Sequence, residues 1–153
     1  MHIEEKLTGL NLALPVLPPS KGIYKKCLLV GNLVYVSGHV SIESDGTLIR
    51  GKLGGDLDDQ QGQYAARQCG LAILASVKEE LGTLQRIRRV VKLLGMVNAM
   101  PAYENHPVVI NGCSELFVQL WGEDAGKGVR SAVGMGSLPG NVAVEIEAIF
   151  ELQ

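Results

Sequence analysis

The chain is poor in aromatic residues and in clustered positive charge. Phenylalanine, tyrosine and tryptophan make up 5% of its 153 residues, and the formal net charge is −2. The densest basic run, RRVVK at 88–92, reads as a strand, on which neighbouring side chains point to opposite faces. A nucleic-acid-binding surface needs clustered cations or aromatic rings on which bases stack. The composition therefore argues against nucleic acid as a partner.

Cysteines and long apolar runs are also scarce. Cys27, Cys69 and Cys113 are odd in number and form no CxxC pair, which fits free thiols in a reducing compartment. The N-terminal MHIEEKLTGL lacks the apolar core of a secretory signal. The following LNLALPVLPP is interrupted by prolines and is too short to span a bilayer. We therefore predict a cytoplasmic protein with no membrane partner.

Common catalytic and cofactor-binding motifs are absent. The chain has no GxSxG, HExxH, GxxxxGK[ST] or GxGxxG. His2, His39 and His106 are scattered and do not have the spacing of metal ligands. Ser37 and His39 stand two residues apart on a predicted strand, which separates their side chains by roughly 7 Å, too far for a nucleophile–base pair. We expect no metal and no cofactor.

The clearest local pattern is a hairpin. YKKCLLV (24–30) and LVYVSGHV (33–40) are rich in strand-forming residues and flank a Gly-Asn turn. If the second strand alternates strictly, one of its faces carries Leu33, Tyr35, Ser37 and His39. The other face then carries Val34, Val36, Gly38 and Val40.

Apolar residues at helical spacing predict three helices. The first covers residues 3–10, with Ile3, Leu7 and Leu10 on one side. Asp56 is the predicted cap of the second, which ends at Gly82. The third begins with a proline, runs over 107–121 and ends at Gly122.

Three more strands, at 87–99, 131–136 and 142–152, complete the order β-β-α-β-α-β-β in a mixed sheet. Two long amphipathic helices can cover only one face of a sheet, which gives a two-layer α+β fold. The last strand alternates strictly, and Glu145 and Glu147 lie on its less apolar side. A face that mixes apolar groups with inward carboxylates favours self-association.

A single arginine, Arg130, introduces the C-terminal stretch GVRSAVGMGSLPGNVAVEIE (128–147). A buried guanidinium needs a partner, and its planar fork matches a carboxylate. Two interpretations follow from the residues. Arg130 forms a structural salt bridge to Glu145 or to a surface acid, or it binds a ligand.

This stretch closely resembles the C-terminal signature of the YjgF/RidA family, some members of which carry the label endoribonuclease L-PSP. The matching elements are an Arg-Ser pair at 130–131, a Leu-Pro turn at 138–139 and a Glu-Ile-Glu-Ala-Ile run at 145–149. VYVSGHVS resembles the family's Ser-Gly strand, INGCSELF its Asn-containing helix, and GIY stands where the family has Gly-Pro-Tyr. The resemblance covers roughly residues 20–151. We therefore assign residues 1–20 to an N-terminal extension and 21–153 to the domain.

The resemblance implies a chorismate-mutase-like fold, a homotrimer and ligand clefts between subunits. It also implies hydrolysis of reactive enamines and imines, such as 2-aminoacrylate, to 2-keto acids and ammonia. By this resemblance Arg130 binds the substrate carboxylate and Glu145 activates the attacking water. The cleft is lined by Tyr24, Ser37 and Asn111, and Gly38 allows a close approach of the backbone.

Two departures from the family pattern leave alternatives open. Many deaminases of the family carry a cysteine two residues after the arginine, where this chain has Ala132, and Ile23 replaces the proline of the tyrosine loop. A trimer that binds small carboxylates without turnover is the main alternative to an imine deaminase. An endoribonuclease is less favoured, because the chain is acidic and offers no pair of catalytic histidines.

Overall fold

The computed structural model describes residues 1–153, which form three α-helices and five β-strands. The helices are α1 (Ile3–Gly9), α2 (Asp59–Leu81) and α3 (His106–Gly126). The strands are β1 (Cys27–Val30), β2 (Leu33–Val40), β3 (Ile87–Asn98), β4 (Val129–Met135) and β5 (Val144–Leu152). After α1, the elements follow the predicted order β-β-α-β-α-β-β.

The strands form one mixed sheet in the order β1-β2-β5-β3-β4. β5 lies in the middle and pairs antiparallel with both β2 and β3. β4 pairs with β3 alone, in parallel, after the chain has crossed over through α3. β1 and β4 are therefore the two edges of the sheet.

α2 and α3 cover one face of this sheet, and the alternation of β5 shows why. The β5 side chains buried beneath the helices are those of Val144, Ile146, Ala148, Phe150 and Leu152. The residues between them lie on the uncovered face and are half-buried or exposed. The Phe150 ring meets Phe117 of α3 edge-on, with 5.6 Å between ring centroids. The predicted two-layer α+β plan is confirmed.

The start of α2 differs from the prediction. Asp58, not Asp56, is the cap: its carboxylate accepts a hydrogen bond from the Gln61 backbone N–H at 2.8 Å, and the Gln61 side chain accepts one from the Asp58 N–H at 2.9 Å. The Asp56 carboxylate accepts from the Lys52 backbone N–H at 3.1 Å and so stabilises the preceding loop. The predicted end is confirmed, since Gly82 adopts a left-handed conformation with φ of 81°.

α3 follows the prediction closely and approaches α2 at a glycine. A Cβ atom at Gly112 would overlap the backbone carbonyl of Gln63, so the two helix backbones are nearly in contact there. Gly122, with φ of 83°, interrupts α3 where its end was predicted, and one more turn follows. The predicted apolar stripe is fully buried, at Val109, Cys113, Leu116, Phe117 and Leu120. None of the helices is both long and apolar enough to cross a bilayer.

β2 departs from the strict alternation predicted for it. Its pairing with β5 shifts between Val36 and His39, so that Ser37 and Gly38 together face the single residue Glu147. This β-bulge turns His39 towards the helices, where it is only 7% exposed. The prediction that His39 and Ser37 share a face is therefore wrong.

α1 packs against the domain near the turn that precedes β3. Ile3 and Leu7 are buried in the common core, whereas Leu10, predicted on the same side, is 40% exposed just beyond the helix. The Glu4 carboxylate accepts a hydrogen bond from the Leu84 backbone N–H at 2.9 Å, in the turn before β3. The boundary between extension and domain stays a prediction.

Candidate functional site

Glu145 lies on the uncovered face of the sheet, where β2 bulges. It is half-buried, and its register partners are Val40 of β2 and Met96 of β3. A Cβ atom at Gly38 would overlap the Glu145 carboxylate, so this close approach requires glycine. Burial, and then the nearby charge of Glu147, raise the pKa of Glu145. Its carboxylate is therefore a stronger base than that of an exposed glutamate.

Tyr24 and Ser37 border a groove on the same face. The Ser37 hydroxyl donates to the Lys25 carbonyl at 2.6 Å, which fixes the segment before β1 against β2. The groove has a volume of about 520 Å³, and its other walls include Lys92 and Glu147. Tyr24 borders the groove and is 53% exposed, so its phenol is accessible to a bound molecule.

Arg130 lies inside β4, because the strand begins one residue before it. Its register partner in β3 is Leu93, whose side chain is buried under the helices. The guanidinium donates to the Ser114 hydroxyl at 2.9 Å and to the Pro107 carbonyl at 3.3 Å, and both acceptors belong to α3. Arg130 is thus half-buried between the edge strand and α3.

The positive charge of Arg130 has no ionic partner in the chain. The ion pairs within 4.0 Å involve other cations, namely Arg88, Arg89 and Lys127. The salt bridge to Glu145 or a surface acid is therefore wrong, because Arg130 points to the helix-covered side and Glu145 to the uncovered side. A guanidinium has five N–H donors, and those of Arg130 that are not used by neutral acceptors can bind an anion.

Asn111 belongs with Arg130 rather than with the groove. Pro107, Asn111 and Ser114 are spaced four and three residues apart in α3, which places them along one side of the helix. Arg130 contacts the first and the last of these three residues. Asn111 therefore lies on the side of α3 that faces Arg130.

The six predicted site residues form two groups that do not meet within one chain. Tyr24, Ser37, Gly38 and Glu145 lie around the bulge of β2 on the uncovered face. Arg130 and Asn111 lie at the opposite edge, under the other face. β2 and β4 are three strand spacings apart in the sheet order, about 14 Å. One chain alone cannot place both groups on one small ligand.

Sequence reasoning missed a buried polar pair beneath the bulge. His39 Nε2 lies 2.7 Å from the Ser76 hydroxyl of α2, and Nδ1 lies 2.6 Å from the Ser37 carbonyl. Because a carbonyl only accepts, Nδ1 carries the proton and Nε2 accepts from Ser76. Burial lowers the pKa of His39, with a hydrogen bond to Ser37 acting the other way. The neutral ring therefore anchors the bulge that brings Gly38 to Glu145.

The stability of the fold should depend on pH through His39. The pKa of the folded ring is below its usual value of 6.5, so the unfolded chain binds this proton more readily. Above pH 6.5 the neutral ring makes its full contribution to the unfolding free energy. That contribution is lost as the pH falls from 6.5 towards the pKa of the folded ring. Urea denaturation at about pH 7.5 and about pH 5.5 should show a larger loss of unfolding free energy for wild type than for His39→Gln. Equal losses would contradict this role, and His2→Gln, at an exposed histidine, is the control.

The remaining residues considered from the sequence have packing roles. Ala132 packs against the core on the side of β4 that faces α3. Cys113 lies close enough to Arg130 for the positive charge to act on it, yet burial dominates and raises the pKa of this thiol to about 12. Trp121 packs edge-on against Phe117, 5.9 Å between ring centroids. No three side chains of His, Cys, Asp or Glu come together as a metal site.

The sequence matches a known family over almost its whole length. Residues 4–151 match the family described as "YjgF/chorismate mutase-like, putative endoribonuclease". Protein TCP17 of Trypanosoma cruzi is 35% identical over 151 residues, which cover 99% of this chain and 94% of that protein.

Two solved structures show how the fold compares. The protein Atu1372 of Agrobacterium tumefaciens, of unknown function, is 42% identical, with a TM-score of 0.89 and coverage of 99% of this chain and 93% of that one. RidA of the Antarctic bacterium Psychrobacter sp. PAMC 21119 is 26% identical, with a TM-score of 0.62 and coverage of 88% and 93%. The chain thus resembles both, and its backbone is much closer to the first.

Proposed function

Because this chain belongs to the YjgF/chorismate mutase-like family, we propose that it hydrolyses reactive enamines and imines to 2-keto acids and ammonia. The observation that carries the proposal is the state of Arg130, a half-buried cation whose only partners are a hydroxyl and a backbone carbonyl. Such a group attracts an anionic ligand, and 2-aminoacrylate and its imine carry a carboxylate. The fork geometry of the guanidinium suits a carboxylate bound through two oxygens.

Glu145 supplies the base in this reaction. As water attacks the imine carbon, its proton passes to the Glu145 carboxylate and the C=N electron pair moves to nitrogen. Glu145 passes that proton to the nitrogen, which gives a carbinolamine. The remaining hydroxyl proton is then transferred to the same nitrogen, again through Glu145. As the O–H electron pair forms the C=O bond, the C–N bond breaks, and ammonia leaves with a 2-keto acid as the other product. Imine plus water thus becomes keto acid plus ammonia, with no net change in Glu145. The raised pKa of Glu145 favours the proton transfer from water.

The active cleft forms between subunits of a homotrimer in this proposal. The two groups of site residues lie on opposite faces of one sheet, so a complete site needs Arg130 of one subunit and Glu145 of another. The uncovered face also carries apolar side chains, among them Tyr35, which is 43% exposed, and Val133, which is 37% exposed. Burying that face against other copies removes apolar surface from water.

The assembly is tested by light scattering at micromolar concentration. We expect the mass of three chains, because the uncovered face and the divided site both need another copy and the family resemblance implies a trimer. A monomer under these conditions would contradict the cleft and with it the proposed catalytic arrangement.

The activity itself is tested with imines generated in situ by an amino-acid oxidase. Their decay to keto acid is followed with and without the protein, and the protein is expected to accelerate it. Ala132 in place of the family's cysteine leads us to expect a modest acceleration. If no imine decays faster while keto acids still bind through Arg130, the protein is a carboxylate-binding trimer without turnover. Ala132 in place of the family's cysteine is the observation that favours this second candidate.

A further inference from the structure

A second cavity adjoins the predicted site, and the N-terminal segment forms one of its walls. We name residues 17–21 the strap; it belongs to the segment that joins α1 to β1. The cavity has a volume of about 380 Å³, within the range of about 300–1,000 Å³ typical of small-molecule pockets. Its apolar walls include Leu17, Pro18, Val40, Leu48, Ala72 and Val142.

This cavity shares Tyr24 with the groove beside Ser37, and it reaches Gly38, the neighbour of Glu145. The Cα of Gly38 lies against the Glu145 carboxylate. A molecule whose reacting carbon lies beside Glu145 can therefore extend into the cavity past Gly38. In the proposed trimer the substrate carboxylate is bound by Arg130 of a neighbouring subunit, so the cavity receives another part of the molecule.

The strap is held in place from both sides. Its proline pair, Pro18 and Pro19, restricts the backbone to extended conformations. The Lys26 ammonium donates to the Pro18 carbonyl at 2.9 Å. On the N-terminal side, α1 is docked through Ile3 and Leu7, both buried. The cavity is therefore preformed, and a ligand does not bear the cost of ordering the strap.

We propose that this cavity receives the side chain of the substrate and selects imines of amino acids with large apolar side chains. The inference rests on the proposed function of the Arg130–Glu145 site and specifies its substrate class. The walls at Leu17 and Leu48 are hydrocarbon. Two lysines also line the cavity: the Lys26 ammonium is engaged with the Pro18 carbonyl, and Lys21 is an exposed residue of the strap. The methylene of 2-aminoacrylate is too small to fill this space, whereas an isobutyl or benzyl group buries apolar surface in it. Each buried methylene strengthens binding by a factor of about four.

The test measures the affinity of 2-keto acids by titration calorimetry, with pyruvate, 4-methyl-2-oxopentanoate and phenylpyruvate as probes. Wild type is expected to bind the two larger acids at least about 10-fold more tightly than pyruvate, given the methylene factor. Leu17→Ala, on the strap, and Leu48→Ala, on the opposite wall, should reduce that preference about 3- to 10-fold and leave pyruvate binding nearly unchanged. Val16→Ala, at a neighbour that is 86% exposed, is the matched control and should behave as wild type. Imine hydrolysis should show the same order in kcat/KM.

The outcomes separate this inference from the function on which it rests. Equal affinities for the three acids, with binding still dependent on Arg130, would overturn the side-chain cavity and leave the proposed function standing. A preference that survives both alanine substitutions would also overturn it. Binding that does not depend on Arg130 would instead overturn the proposed function.

Discussion

Glu145→Gln is expected to lower the rate of imine hydrolysis by about 10²–10⁴-fold, the usual effect of losing a general base. The amide keeps nearly the shape of the carboxylate, so it fits beside Gly38, but it cannot accept a proton at neutral pH. Keto-acid affinity should change little, because Arg130 and not Glu145 holds the carboxylate. The measurement is the decay of an oxidase-generated imine, compared with the uncatalysed rate.

The neighbouring glutamate provides the control for this prediction. Glu147 lies on the same face of β5, two residues further along, and is exposed. Glu147→Gln removes the same charge and should retain most of the wild-type rate. If the two variants lose activity equally, the loss reflects the charge of the groove and not a base at Glu145.

Arg130→Ala is expected to abolish the stabilisation of the protein by small keto acids. At a ligand concentration of one hundred times the dissociation constant, wild type should gain about 2.7 kcal/mol of unfolding free energy. Removing one member of a buried, hydrogen-bonded charge pair weakens binding by about 2–5 kcal/mol, so the variant should gain almost nothing at that concentration. Thermal denaturation with and without the keto acid measures both values.

A substitution at a second arginine tests whether Arg130 binds the ligand specifically or acts only through the net charge of the protein. Arg86 is exposed, and Arg86→Ala removes the same formal charge away from the predicted cleft. It should leave the ligand-induced shift unchanged. Equal shifts in wild type and Arg130→Ala would mean that Arg130 is structural, held by Ser114 and Pro107 for the packing of β4 on α3.

Much of the fold could be predicted because its periodicities are regular. The period of two in β5 and the helical stripes of α2 and α3 reflect burial on one face, and a buried face leaves a strong pattern in the sequence. Gly82 marked the end of α2 and Gly122 the break in α3, because a left-handed φ is easiest for glycine. The assignment of Glu145 to the uncovered face also follows from this alternation.

The details of the site depended on interactions between distant residues, which local patterns do not show. The bulge of β2 depends on Ser76, 37 residues away from His39, and a single extra residue reverses the facing of every side chain after it. Asp56 and Asp58 are equivalent as caps by type, and the backbone of Lys52 decides between them. The partners of Arg130 come from α3, and no spacing in the sequence identifies Ser114.

The position of Arg130 and Glu145 on opposite faces of one sheet has a genetic consequence. If each cleft takes its arginine from one chain and its glutamate from another, inactive variants can compensate for each other. Mixed trimers of Arg130→Ala and Glu145→Gln chains would contain some clefts in which both residues are intact. Co-expression of the two inactive proteins should therefore restore part of the activity, whereas the double variant Arg130→Ala/Glu145→Gln should restore none.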